Sequence, residues 1–466
     1  MRIHFIAIGG SAMHNLALAL SDAGHHVSGS DDQILEPSRS RLLKAGLLPA
    51  IEGWHPDTIA EDLDCVILGM HARPDNPELL QAQKLGVLIQ SYPEFLFSAA
   101  ERDRRIVIGG SHGKTTITSM LLHAFKAVEQ PVNFMVGAQL EGFDRMVKLD
   151  PKVRTAVFEG DEYLSSPIDR RPKFFWYKAH FTLLTGIAWD HINVFPTEED
   201  YISQFDAYLE SLSPCATVVW CEEDKYLAAV IQRTKRDDLI FIPYRTPQCI
   251  VESDGLTEVM WSDDSKSLTP LIGTHNIQNL AGARALAAAV GINKSEFDQA
   301  MINFTGAARR LELLKKTKTF TAFRDFAHAP SKLRATTAGV KDSFPNRHLT
   351  AVFELHTFSS LNRDFLPTYK DTLAPADEQV VYYDPEVLKH KKLPPLDPSY
   401  IAECFGNTKQ LRIIDSKRAL QSFLDAQYSA DRVLLLMSSG WFSKVTPNWL
   451  DSTRAKVNES TQPDVE

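Results

Sequence analysis

An apolar run, Ile106-Val107-Ile108-Gly109, leads directly into Gly110-Ser111-His112-Gly113-Lys114-Thr115-Thr116 and then into a helical pattern from Ile117 to Phe125. Strand, glycine loop, Lys-Thr, helix is an arrangement suited to a triphosphate. Loop N–H groups wrap phosphate oxygens, and the helix N-terminus adds partial positive charge. The lysine reaches the outer phosphates, and a threonine hydroxyl can meet Mg²⁺. The strict G-x-x-x-x-G-K-[ST] spacing is not met, because Ile108 stands where its first glycine belongs. The Gly-Lys-Thr-Thr run at a strand-to-helix junction nevertheless predicts a nucleotide site.

At 466 residues the chain is too long for one core and suggests about three domains. A formal charge of −9 argues against a nucleic-acid partner, which needs a basic face. The five cysteines form no C-x-x-C pair, so reduced thiols are expected rather than a zinc ribbon or a disulfide framework. No apolar stretch approaches the roughly 20 residues of a membrane span, so no membrane association and a cytoplasmic location are expected. The oligomeric state is expected to be a monomer or weak dimer.

Three segments can be separated. The first, 1–104, opens with an apolar strand (Ile3–Ile8), a turn at Gly9-Gly10-Ser11, a helix (Ala12–Ala23) and a second strand ending Gly29-Ser30-Asp31. This reads as a Rossmann-like opening in which Asp31 stands where a ribose hydroxyl would be held. Ala7 and Ala12 occupy two glycine positions of the dinucleotide fingerprint, so a nucleotide pocket and a plain βαβ unit both remain open. A further strand, Cys65–Leu68, ends at Gly69-Met70-His71, and Val87–Gln90 reads as another. The charged run Glu101–Arg105 suggests a boundary.

The middle segment, 105–308, has strands that end in chemistry. Thr155–Phe158 leads into Glu159-Gly160-Asp161-Glu162, and Phe181–Thr185 leads toward Asp190-His191. Carboxyl ends of apolar strands are where α/β sheets place active sites, and Mg²⁺ needs only one or two protein oxygens besides waters and phosphates. The alternative for Glu159 is a helix N-cap or first-turn carboxylate, and His191 taken alone reads as an ordinary turn residue. His275, Asn276 and Asn279 open an alanine-rich helix, where they could meet a purine edge or cap the helix. The last segment, 309–456, is β/α again. Its strand Phe320–Phe323 carries Asp325 and His328 at its end, Leu349–Phe353 precedes Glu354 and His356, and 457–466 reads as a disordered tail. The expected fold class is therefore α/β with three domains: a Rossmann-like N-terminal domain, a central P-loop domain with a mostly parallel sheet, and a Rossmann-like C-terminal domain.

Taken in order, these motifs resemble the Mur ligases, ATP-dependent amide-bond-forming enzymes of bacterial cell-wall synthesis. The resemblance rests on Ile8–Met13, Gly29–Asp31, the phosphate loop, Glu159–Tyr163, Asp190-His191, His275–Asn279, Gly306–Arg310 and Asp325–His328. It implies ATP and Mg²⁺ as cofactors, with UDP-N-acetylmuramate and a peptide or amino-acid amine as substrates. It implies that Gly110, Ser111, His112, Gly113, Lys114, Thr115 and Thr116 hold phosphate, and that Thr115, Glu159 and His191 hold the metal. His275, Asn276 and Asn279 would lie near adenine, and Arg310 and Asp325 would hold ATP from the last segment on domain closure. His328 would contact phosphate or amine, or serve a structural role. Gly9, Gly10, Ser11, Asp31 and His71 would take the uridine nucleotide, and His356 the amine substrate. Glu162-Tyr163 with Asp169-Arg170-Arg171-Pro172-Lys173-Phe174 resembles the subfamily that reattaches a recycled tripeptide more than the one that adds L-alanine. Phe353–Ser360 departs from the family by lacking an arginine, and Ala329 replaces a second histidine. An oxidoreductase built on the first segment and a non-catalytic nucleotide-binding module are the alternatives from other classes.

Overall fold

The computed structural model describes residues 1–450 except 71, 141, 142, 144, 190–193, 252–255, 305, 307–310 and 441. The expectations for His71, His191, Arg310 and the 457–466 tail lie outside the described residues.

Arg2–Ile6 forms the first strand, and its parallel neighbours are His26–Ser30 on one side and Cys65–Leu68 on the other. Ile89–Ser91 completes this four-stranded sheet. Cys65–Leu68 is buried at every position, as a parallel strand covered on both faces requires. The first strand ends at Ile6, short of the expected Ile8, because Ala7 turns into the left-handed region at φ 68°. Here the missing fingerprint glycine has a visible cost, on the order of 1 kcal/mol for a residue with a Cβ. The helix Ser11–Asp22 follows immediately.

The central sheet has seven strands, in the order Ile240–Tyr244, Thr217–Cys221, Phe181–Leu184, Arg104–Gly109, Thr155–Glu159, Asn133–Met135 and Val147–Lys148. All pairings are parallel except the last. The charged run Glu101–Arg105 ends inside the first residues of the strand Arg104–Gly109. Arg105 lies within the strand, only 5% exposed, and its guanidinium donates to the carbonyls of Tyr177, Ala100, Glu101 and Asp103. A buried cation that saturates carbonyls in this way is structural. A three-stranded sheet (Gln248–Val251, Thr257–Met260, Lys266–Thr269) follows, with no counterpart in the sequence reading.

The last sheet runs Glu312–Lys316, Phe320–Asp325, Arg432–Met437, His348–Leu355, Glu378–Tyr383 and Leu411–Ile414, antiparallel only in its first pair. The strand expected to stop at Phe353 continues through Glu354 to Leu355. Hydrophobic clusters pack on both faces of this sheet, around Leu349, Phe353 and Val381 on one and Val352, Leu434 and Leu420 on the other. By contacts the chain forms two compact units. One comprises Met1–Cys249, Val259–Thr269 and Gln278–Phe304, and the other Ile250–Glu258, Pro270–Ile277 and the chain beyond Phe304.

Candidate active site

The strand Arg104–Gly109 delivers the chain to Gly110 and Gly113, which hold φ values of 109° and 81°. Both positions need glycine. A Cβ on Gly110 would lie 2.2 Å from Thr185 Oγ1, and one on Gly113 2.2 Å from Asn279 Oδ1. Asn279 is thus set against the loop. The helix then begins at Lys114, with Gly113 as N-cap and no side chain capping it. Its first N–H groups are therefore left for an anion. The same holds for Ser11–Asp22, whose N-cap Gly10 provides no side chain.

Lys114 Nζ donates to Gly110 O at 2.8 Å and to Glu162 Oε2 at 2.7 Å. Burial works against its charge, but Glu162 and Asp161 outweigh it and hold the ammonium above its usual range. Ser111 Oγ and Tyr201 Oη are 2.8 Å apart, Ala188 N donates to Ser111 Oγ at 2.8 Å, and Tyr201 donates to Glu162 Oε1 at 3.0 Å. Thr115 Oγ1 donates to Glu159 Oε1 at 2.6 Å, and Gly137 N to Glu159 Oε2 at 2.7 Å. Glu159 is buried, and burial together with the Asp161 charge pushes its carboxyl up. Glu159 is the last residue of its strand rather than a residue of a helix first turn. The threonine hydroxyl and this carboxylate converge as oxygen donors of the kind Mg²⁺ takes, so the described part of the expected metal set fits. Thr116 is buried in the helix and His112 half-buried in the loop.

In the first sheet, Gly9 N donates to Asp31 Oδ2 at 2.7 Å. A Cβ at Gly9 would sit 2.9 Å from that oxygen, so this glycine permits the close approach. Burial lifts the Asp31 carboxyl to about 7, with the neighbouring Asp32 adding to the shift. His14 binds the Gly10 carbonyl at 2.9 Å and Ser38 at 3.0 Å, which fixes the loop from behind. No sequence signal pointed to His14.

The second unit places its candidates differently. His275 packs against Gly273 and Gly339, and burial lowers its pKa against the opposing charge of Asp325. Asn276 donates to Ile272 O at 2.9 Å, so its amide serves the start of the helix Thr274–Ala289. Asp325 accepts from Leu311 N at 2.6 Å and Ala327 N at 2.7 Å, which makes it a loop organiser. His328 Nδ1 meets Phe326 O at 2.9 Å, and Tyr369 donates to the His328 carbonyl at 2.6 Å. His356 follows its strand, with its ring so close to Gly440 that a Cβ there would lie 2.7 Å away. Burial and the Lys391 charge lower its pKa.

Glu162, Asp161 and Tyr201 complete the phosphate lysine's surroundings without having been assigned a role from sequence. The first two belong to a recognised motif, whereas Tyr201 stands 90 residues from Ser111, on the helix Glu198–Ser211, with no signature of its own.

A strand–glycine loop–uncapped helix with a paired lysine and a Thr–Glu oxygen pair defines a nucleoside-triphosphate-using enzyme of the α/β class. The family models for the Mur ligase catalytic domain and the Mur ligase middle domain match residues 2–104 and 108–287. A UDP-N-acetylmuramate–L-alanine ligase from Limosilactobacillus reuteri is 30% identical over 387 residues, covering 81% of this chain and 84% of that protein. A ligase of the same name from Carboxydothermus hydrogenoformans is 24% identical across 96% of this chain and 95% of its own. The chain belongs to the Mur ligase family, and it is an ATP-dependent ligase that forms carbon–nitrogen bonds. Among solved structures, UDP-N-acetylmuramate–alanine ligase from Thermotoga maritima superposes with a TM-score of 0.74 at 20% identity, covering 98% of this chain and all of that one. A murein peptide ligase from Psychrobacter arcticus gives 0.64 at 21% identity, with complete coverage of both chains. These two likenesses establish the shared fold. No helix among the described residues is long and apolar enough to cross a membrane.

Proposed function

We propose that the chain joins the lactyl carboxylate of UDP-N-acetylmuramate to the amine of a cell-wall peptide, L-alanyl-γ-D-glutamyl-meso-diaminopimelate, with ATP cleaved to ADP and phosphate. The observation that carries this reading is Lys114 at the uncapped helix start, beside the Thr115–Glu159 pair. A carboxylate is a poor electrophile, so its oxygen first takes the terminal phosphoryl group of ATP, giving an acyl phosphate and ADP. The amine nitrogen then forms the C–N bond, phosphate leaves, and the ammonium proton is lost. Such a transfer needs alignment and charge neutralisation more than covalent help.

Lys114 and the N–H groups of the loop serve the outer phosphates. Thr115 and Glu159 would hold Mg²⁺, which supplies charge neutralisation at the phosphates; His191 joins them by resemblance. Gly9, Gly10, Ser11 and Asp31 would take the uridine nucleotide at the second uncapped helix. Arg310, Asp325 and His328 are assigned to the reaction by resemblance, and His356 to the amine. Asn279, beside Gly113, is the candidate for the adenine end, with His275 and Asn276 assigned there by resemblance.

The peptide acceptor is supported by the run Glu162-Tyr163 and Asp169–Phe174. L-Alanine is the second reading, favoured by the curated relatives, which carry that activity in their names. Phosphate release from Mg-ATP and UDP-N-acetylmuramate, with tripeptide compared against L-alanine, decides between them. Release driven by L-alanine overturns the peptide assignment, and release with neither overturns the ligase substrates proposed here.

A further inference from the structure

The segment 163–173 is a built hairpin placed directly after the acidic run Glu159–Glu162. Leu164 and Pro172 form an antiparallel bridge. Ser165 donates to Arg171 O through its N–H at 3.0 Å and its hydroxyl at 2.7 Å, and Lys173 N donates to Tyr163 O at 2.9 Å. Asp169 at the tip accepts from Arg171 Nε at 2.9 Å, Arg171 Nη2 at 3.1 Å and Trp176 Nε1 at 2.8 Å. The Arg171 guanidinium lies 4.3 Å from the centre of the Trp176 ring. These bonds fix where the returning arm ends, at Pro172, and so where Lys173 begins.

Lys173 opens the short helix Lys173–Trp176, and its Nζ reaches Asp161 Oδ2 at 3.2 Å. The other oxygen of that carboxylate, Oδ1, is 4.0 Å from Lys114 Nζ. Asp161 therefore stands between the loop lysine and a second lysine. The Lys173 side chain is 18% exposed, against 38% for Asp161. A bare surface pair would need no hairpin to position it and would contribute little. A triphosphate drawn to Lys114 brings negative charge up to Asp161, and a flexible ammonium at Asp161 can turn from carboxylate to phosphate without leaving its place. Phosphate oxygens are at least as good partners for it as a half-exposed carboxylate.

We propose that Lys173 is a second phosphate-directed cation of this site, resting on Asp161 and moving to the terminal phosphate of a bound nucleoside triphosphate. The proposal rests on the nucleotide-site reading above and is independent of which amine is used.

Its test is direct binding of β,γ-methylene-ATP and of ADP to the full chain and to Lys173→Met, which keeps the aliphatic stem. The expected result is an about tenfold or greater loss for the ATP analogue, the size of one charge-assisted hydrogen bond, with less than about twofold for ADP. Lys173→Arg should keep most of the affinity. In Lys173→Met/Asp161→Asn the loss should persist, because the lysine acts on phosphate. Recovery in that double variant would mean that Lys173 only screens Asp161, and equal losses for both nucleotides would mean a general structural effect; either overturns the proposal. Unchanged affinity in Lys173→Met overturns it as well. Lys173→Gln gives the same reading if the methionine variant does not fold. A parent protein that binds neither nucleotide would instead refute the nucleotide site itself.

Discussion

Replacing Lys114 by alanine should do two separable things, and the structure sets the size of each. Lys114 Nζ sits 2.7 Å from Glu162 Oε2, and the Glu162 side chain is 2% exposed. Alanine removes the cation and leaves a buried carboxylate uncompensated, which costs about 3–5 kcal/mol. For a unit of this size, that corresponds to a fall in melting temperature of roughly 5–8 °C. Loss of the phosphate contact should lower turnover by about 10²–10³-fold or more. Glu162→Gln in the Lys114→Ala background removes the orphaned charge while keeping an oxygen for Tyr201, so most of the lost stability should return and none of the activity. Thermal unfolding followed by circular dichroism, with phosphate release measured on the same samples, reads both effects. If Lys114→Ala melts with the parent, or if the double variant melts no higher than the single one, the buried ion pair is not what the reasoning takes it to be. Recovery of turnover in the double variant would refute the phosphate role.

Gly113→Ala should weaken nucleotide binding more than tenfold, since φ 81° and the 2.2 Å approach to Asn279 both exclude a Cβ; nucleotide-dependent thermal shift measures it, and a shift equal to the parent's would contradict the loop geometry. Asp31 titrates near 7, and only its ionised form offers a ribose hydroxyl a full acceptor; KM for the uridine substrate should fall as pH rises through about 7, and Asp31→Asn should flatten that dependence. Glu354 is pushed up to about 7 by burial, despite bonds from Ser438 and Phe442 N. A raised folded pKa stabilises fully below the unfolded value near 4.5 and is lost as pH climbs through 7, a span of about 3 kcal/mol. Urea midpoints should therefore decline from pH 5 to pH 8 in the parent and decline less in Glu354→Gln; equal slopes would assign the trend to other groups.

The glycine-loop geometry was legible because it is local. The strand, loop and helix are contiguous, and Gly110, Gly113, Lys114 and Thr115 each do within a dozen residues what the pattern requires. The position of Glu159 at a strand end was legible for the same reason. Glu354 was not. A charged residue after Leu349–Phe353 reads as the end of a strand, yet it continues the strand because donors from Ser438 and Phe442 meet it across the sheet. Phe442, Ser443 and Lys444 all hold φ near 50–65° without a glycine among them, a backbone that residue type cannot announce. The charged run ending at Arg105 suggests a boundary and says nothing of burial; the carbonyl partners that bury the guanidinium come from the turn before it and from Tyr177. His275 and Asp325 fall together electrostatically, but their local hydrogen bonds and packing could not be anticipated from residues 50 apart.

The hydroxyl of Tyr201 deserves a last consideration for what it does to the loop. It touches Ser111 within the glycine run and Glu162, the partner of Lys114, from the helix Glu198–Ser211. A sequence with two glycines in four residues would be expected to wander, and a wandering loop surrenders entropy whenever it closes on a ligand. Here the phenol ties loop and lysine to the same rigid helix, so the mould is cast before the nucleotide arrives. Affinity then reports contacts rather than ordering, and a mutation on that helix, remote in sequence, would be felt as a softer phosphate grip.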